Sequence, residues 1–153
     1  MHPELYTEEH NLFREAFNTF LRKEALPYYD QWEKDGIIDR SLWPKAAELG
    51  VLGLDIPEEY GGLGLHDFRY NAIVCEEISK LSMPGIGFST QNDIVIPYLN
   101  TYCTSEQKAK YLPKMASGEW IGALGMTDPA AGSDLKNIQT YAEKKDGYYL
   151  LNG

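Results

Sequence analysis

Histidine and cysteine are scarce in this chain, three and two of its 153 residues. His2, His10 and His66 are scattered without ligand spacing, so no metal site is expected. Cys75 falls inside an apolar helical pattern and Cys103 precedes a helix cap; their number and spacing fit neither a disulfide framework nor a zinc site. A reducing compartment follows, and the cytoplasm is the expected location. No apolar run is long enough to span a bilayer. Met1-His2-Pro3-Glu4 lacks a basic start leading into an apolar stretch, so no signal peptide is visible. Positive charge is also short: 14 Lys and Arg stand against 23 Asp and Glu, a net −9. That argues against a nucleic-acid partner, which wants a basic stripe, and against adsorption on an anionic membrane. An anionic small ligand remains open, because local amides and cations decide its binding. Neither G-x-G-x-x-G nor a Walker A lysine motif is present.

What is there is ordinary globular composition, 43% apolar and 24% charged, in a chain long enough to form one real core. Helical periodicity dominates the first two-thirds. Leu12, Ala16 and Phe20 form one row and Phe13, Phe17 and Leu21 the adjacent one, with Thr7 as N-cap. Pro27 kinks or ends this helix. A short helix follows, with Ser41 as cap, Leu42, Ala46 and Leu49 inward and Gly50 as stop. Tyr70, Ile73, Val74, Ile78 and Leu81 make a third stripe. Ile94, Val95, Tyr98 and Leu99 suggest a fourth helix, bent at Pro97, and Thr104 with Gln107 reads as the capping box of a fifth that Gly118 closes. Tyr28, Tyr29, Trp32 and Trp43 read as core or interface aromatics. Glu76 and Glu77 diverge as helical neighbours and read as a solvated face. Lys108, Lys110 and Lys114 read likewise as a solvated face.

The period then changes. Residues 120–126 read as a strand. Residues 139–145 and 148–151 flank Asp146-Gly147, a strong hairpin signal. A helical region over 1–118 is therefore expected to pass, near Glu119, into the beginning of a β region over 119–153.

Between these segments lies Gly125-Met126-Thr127-Asp128-Pro129-Ala130-Ala131-Gly132-Ser133-Asp134, following the apolar run that ends at Leu124. Crowded backbone N–H groups in such a Gly/Ser loop can cradle a phosphate. The residues alone favour two plain turns, at Asp128-Pro129 and Gly132-Ser133.

The Met126, Thr127, Pro129, Ala131, Gly132, Ser133, Asp134 pattern resembles the signature of acyl-CoA dehydrogenases, in which a Met-Thr-Glu-Pro-x-Ala-Gly-Ser-Asp type sequence binds FAD. Tyr60-Gly61-Gly62-Leu63-Gly64 resembles that family's loop after its second helix. Ser105-Glu106-Gln107-Lys108 to Tyr111-Leu112-Pro113 resembles the helix before the flavin-binding strand, and Asn152-Gly153 the end of its hairpin. Asp128 stands where the family usually has Glu, and Leu124 where many members have an aromatic.

The resemblance implies a mainly α fold, an N-terminal helical bundle domain followed by the first strands of a β-domain. It assigns Leu124, Gly125, Met126, Thr127, Asp128, Pro129, Ala130, Ala131, Gly132 and Ser133 to FAD, and Ser133 also to the acyl-CoA thioester. In its terms Thr127 bonds the pyrimidine edge of the flavin, Met126 packs beside the ring, and Gly132 and Ser133 approach the pyrophosphate. The Ser89-Thr90-Gln91-Asn92-Asp93-Ile94 segment would line the bottom of the acyl pocket; equally, it is an ordinary helix start capped by Ser89 or Thr90, and its polar residues need partners if buried. The family's catalytic glutamate lies in a later domain, so no catalytic residue is assigned here, and the chain reads as an inactive N-terminal fragment. The implied parent oxidises acyl-CoA to 2,3-enoyl-CoA, passes electrons to electron-transfer flavoprotein or a similar acceptor, and assembles as a homo-oligomer, a tetramer or dimer. A same-fold acyl-CoA oxidase or flavin monooxygenase, and a non-catalytic helical interaction domain, are the alternatives.

Overall fold

The computed structural model describes residues 5–153. They divide into two compact units, one running to Ala123 and the other spanning Leu124–Gly153.

The first unit is helical. α1 (Glu8–Glu24) carries the Phe13, Phe17, Leu21 row into the core, where Phe17 and Leu21 are fully buried; Leu12, on the adjacent row, is 61% exposed. His10, at its third position, is buried, stacked on Tyr70 at 4.4 Å and bonded through Nδ1 to Thr7, so the cap of α1 is built partly by a histidine. After the turn at Pro27 the chain is helical again: α2 (Tyr29–Asp35) ends on Gly36 and is not named as a separate helix in the sequence reading, in which Pro27 kinks or ends the first one. α3 (Leu42–Glu48) buries Leu42, Trp43 and Ala46 and stops at Gly50, as its sequence indicates. Its Ser41 makes no side-chain cap; the Asp39 carboxylate accepts from Ser41 N instead.

α4 (Arg69–Lys80) lies across α1 and buries Tyr70, Ile73, Val74 and Ile78. Glu77 is buried with them, 3% exposed, which corrects its reading as a solvated residue. The i+7 position of the Tyr70 stripe belongs to the core face, and Arg14, Asn18 and Lys80 supply donors to the carboxylate there. A π-helix over Thr90–Val95 runs into α5 (Ile96–Tyr102); Ile96 N donates five residues back to Gln91 O. α6 (Ser105–Ala116) starts on the expected capping box, with Gln107 N to Thr104 Oγ1 at 3.3 Å and Thr104 N to Gln107 Oε1 at 2.9 Å. The main core joins α1, α3 and α4 around Phe17, Leu52, Val74 and Phe88, the last meeting Trp43 edge-on at 5.0 Å. A smaller cluster gathers Ile56, Ile96, Leu112 and Met115. Of the four aromatics read as core or interface residues, Tyr29 and Trp43 are buried in the core, whereas Tyr28 is 54% exposed.

Residues 120–126 are not a strand. The amides there go elsewhere: Trp120 N donates to Lys114 O, and Gly122 N to the Gln91 side chain. The second unit holds the hairpin, β1 (Tyr141–Lys145) antiparallel to β2 (Tyr148–Asn152) with Lys145 paired to Tyr148, and Gly147 takes the left-handed turn position at φ 82°. β1 starts two residues later than the sequence suggests because the amides of Gln139 and Thr140 are given to a side chain.

Candidate functional site

That side chain is Asp128. Pro129 fixes the first corner of a turn closed by Ala131 N donating to Asp128 O at 3.1 Å. The carboxylate accepts four hydrogen bonds: Ala130 N at 2.8 Å, Gln139 N at 3.2 Å, Thr140 N at 3.0 Å and Thr140 Oγ1 at 2.7 Å. It is 7% exposed and is the one buried residue of the second unit. The Thr140 hydroxyl, followed by the Ala130 amide, holds its carboxyl below the usual carboxylate range. Asp134 makes a smaller copy of the arrangement, accepting from Lys136 N at 3.2 Å and Asn137 Nδ2 at 2.9 Å.

Leu124, Gly125, Met126 and Thr127 precede this turn and are exposed; Pro129 and Ala130 are exposed at its corner, Ala131 is half-buried, and Gly132 and Ser133 follow, exposed. The loop's side-chain hydrogen bonds run through Asp128 and Asp134, which leaves the hydroxyls of Thr127 and Ser133 free among the described residues.

The glycines discriminate the loop further. Eleven of the 14 have a reason within the fold, either a left-handed backbone or a neighbour too close for a Cβ, and Gly53 has a tight contact at 3.2 Å to Gly62 Cα; at Gly62 a Cβ would lie 2.1 Å from Ile56 O. Gly125 and Gly132 have neither: their backbone suits any residue and nothing lies within 4 Å of an added Cβ. The two glycines that the fold does not require both lie in the loop singled out by its sequence.

The polar segment at the start of the π-helix is a separate feature, inside the helical unit. Gln91 and Asn92 are buried: Gln91 donates to Met115 O at 3.2 Å and accepts from Gly122 N at 2.8 Å, whereas Asn92 donates to Val51 O at 2.8 Å and leaves its Oδ1 without a partner among the described residues. Neither Ser89 nor Thr90 acts as a side-chain cap. Asp93 accepts from Asn71 Nδ2 at 2.6 Å beside a cavity of about 260 Å³ lined also by Asp55, Asp67, Phe68 and Asn92. Ser89 Oγ lies 3.1 Å from Cys75 Sγ, and both cysteines are free thiols. No cluster of three metal-ligating side chains occurs among the described residues, and no helix there is long and apolar enough to cross a membrane.

Sequence reasoning missed three residues of consequence: Thr140, His10 and Glu77. The signal for Thr140 was weak, a hydroxyl just ahead of an alternating strand. That for Glu77 was the stripe spacing itself.

A helical unit followed by the start of a β region is the architecture of the acyl-CoA dehydrogenase N-terminal region. Residues 7–119 match the model of the acyl-CoA dehydrogenase N-terminal domain, and the chain belongs to the acyl-CoA dehydrogenase family. It is 42% identical over 149 residues to the mitochondrial long-chain specific acyl-CoA dehydrogenase of Rattus norvegicus, covering 97% of this chain and 34% of that one. Among solved structures, an acyl-CoA dehydrogenase from Geobacillus kaustophilus superimposes with TM-score 0.91 at 51% identity, over 97% of this chain and 39% of that one. An acyl-CoA dehydrogenase complexed with FAD from Bacillus anthracis gives TM-score 0.82 at 34% identity, over the whole of this chain and 27% of the other. The chain thus spans about a third of the length of the curated relatives it matches.

Proposed function

We propose that this chain supplies the N-terminal helical domain, residues 1–118, and the opening of the β-domain, residues 119–153, of an FAD-dependent acyl-CoA dehydrogenase that converts acyl-CoA thioesters to 2,3-enoyl-CoA. The observation that carries this reading is the pair of glycines, Gly125 and Gly132, that no packing and no backbone conformation demands. A glycine kept where a side chain would fit the protein is explained by a ligand that approaches the backbone.

Bound FAD supplies the hydride acceptor. The chain's own part is to bind and orient. Thr127 offers its free hydroxyl to the electron-rich edge of the flavin, and Met126, 47% exposed, offers an apolar surface beside the ring. Gly125 and Gly132 open the backbone to the cofactor, and the amide and hydroxyl of Ser133 serve the pyrophosphate and the thioester. Leu124, Pro129, Ala130 and Ala131 complete the wall, and Asp128 belongs to the same segment. No residue of the chain is assigned as the base that removes the α-proton, so the chain by itself is inactive in this reading. Electrons leave to electron-transfer flavoprotein or a similar acceptor, in a homo-oligomeric parent. The free thiols of Cys75 and Cys103 fit a reducing compartment such as the cytoplasm.

The test is Gly132→Val in the FAD-loaded protein. Because nothing of the chain lies within 4 Å of the new Cβ, the fold should tolerate it. FAD retention, read by flavin fluorescence and absorbance, should fall at least roughly tenfold, the loss expected when a charged group's hydrogen bonds are displaced. Unchanged FAD affinity would refute the loop assignment.

A further inference from the structure

We propose that Asp128 and Thr140 are positioning residues, which hold the 125–133 loop in the shape that meets the cofactor and act on it only through that loop. The inference rests on the flavin-loop reading above and adds to it a residue, Thr140, that lies outside the signature segment.

The second unit has no apolar core; its one buried residue is a carboxylate. Outside the backbone ladder of the hairpin, what ties the loop to β1 is the hydrogen bonding of that carboxylate. The four donors come from within the loop, Ala130 just after Asp128, and from beyond it, Gln139 with Thr140 at the entry to β1. Hydrogen bonds to an ionised acceptor are roughly twice as strong as neutral ones. Asp128 so ties the loop to the entry of β1, and the residues on either side inherit their placement from it. Thr127 is its direct neighbour, and Gly132 follows the turn that Asp128 closes at Ala131. Both carboxylate oxygens are taken, Oδ1 by Ala130 and Oδ2 by Gln139 and Thr140, so the side chain is occupied within the loop.

Titration of Asp128 gives a way to see this. The groups facing it are one hydroxyl and three amides. No charged side chain forms an ion pair with it among the described residues. A carboxyl depressed in this way contributes its order at neutral pH and loses it as pH falls through its folded pKa. Replacing Thr140 by valine removes the largest of the influences that lower the carboxyl. The loss should then begin at a higher pH.

The experiment compares Thr140→Val and Thr140→Ser with the parent in the FAD-loaded protein, using FAD itself as the probe, with Gly132→Val alongside. Thr140→Val should weaken FAD retention roughly tenfold, as loss of a charge-assisted hydrogen bond would. It should also shift the acid limb of retention to higher pH and speed amide exchange in the 128–140 segment. Thr140→Ser, which keeps the hydroxyl, should restore all three. If Thr140→Val changes neither the acid limb nor exchange while Gly132→Val releases FAD, the positioning role is wrong and the flavin-loop reading stands. If Gly132→Val retains FAD, the reading falls and this inference with it. Should Thr140→Val not fold, failure of Asp128→Asn to accelerate exchange at Ala130 and Thr140 would equally overturn the proposal.

Discussion

Removal of the Glu77 carboxylate should unfasten α1 from α4. The side chain is 3% exposed and takes Arg14 Nη1 at 2.7 Å, Lys80 Nζ at 2.6 Å and Asn18 Nδ2 at 2.7 Å. Arg14 itself is half-buried, with its second partner, Glu76, at 2.5 Å and its Nη2 unpaired among the described residues. In Glu77→Ala, Asn18 loses its acceptor and Arg14 keeps Glu76 alone, while Lys80, 44% exposed, can turn to water. Removing one partner of a buried ion pair costs 3–5 kcal/mol; the surviving Arg14–Glu76 pair and the hydrated Lys80 place this case near the lower end, about 3 kcal/mol. For a chain of this size each kcal/mol moves the melting temperature by about 2–4 °C, so a fall of about 6–12 °C is expected. Burial pushes the Glu77 carboxyl up, but the bonds from Lys80, Arg14 and Asn18 outweigh it and hold the group below the ordinary glutamate value. A depressed carboxylate stabilises at neutral pH and loses that contribution as pH falls through its folded pKa. The gap between parent and variant should therefore narrow on acidification. Urea denaturation followed by far-UV circular dichroism, at neutral and acid pH, measures both. A loss below about 1 kcal/mol, the scale of an exposed pair, or a gap independent of pH, would refute the buried-cluster account.

Two further outcomes are expected in the helical unit. Phe88→Ala, at a fully buried ring edge-on to Trp43, should cost about 3–5 kcal/mol and alter the tryptophan emission; a change under about 1 kcal/mol would mean that the site collapses around the gap. Gln91→Leu should cost about 2–4 kcal/mol, because it strands both Met115 O and Gly122 N, and residues 120–123 should lose protection from amide exchange; retained protection would show that Gln91 does not anchor that segment.

Much of the helical unit was legible because its signals are local. The Phe13, Phe17, Leu21 row, the Tyr70 to Ile78 stripe, the Gly50 stop and the Thr104–Gln107 box each state a period or a cap within a few residues. The failures came where a long-range partner decides. α2 forms after Pro27 because Tyr29 is buried and its hydroxyl accepts Gly85 N at 2.9 Å, a contact 56 residues away. The extended segment 120–126 has strand composition, yet a sheet needs a partner strand, and its amides meet Lys114 O and Gln91 instead. The divergence of Glu76 and Glu77 as helical neighbours puts only one of them in solvent; Arg14 and Asn18, 63 and 59 residues away, make the core position of Glu77 tenable.

The loop turns on the choice of aspartate at position 128, where the resembled family usually carries glutamate. An aspartate can bond its own backbone two residues on, because its short side chain closes that ring without strain. Here the bond is Oδ1 to Ala130 N at 2.8 Å, and it leaves Oδ2 aimed at the entry to β1, where Gln139 and Thr140 present three donors. A glutamate, one methylene longer, would carry its carboxylate past Ala130 N and would have to satisfy the same donors from a different rotamer. The shorter acid therefore keeps the charge and trades reach for a locked turn, and it can do so because Thr140 lies across the loop to meet it. The motif alone shows that substitution as a departure. With Thr140 in view it is half of a pair, and the other half sits twelve residues downstream, where no short pattern would join the two.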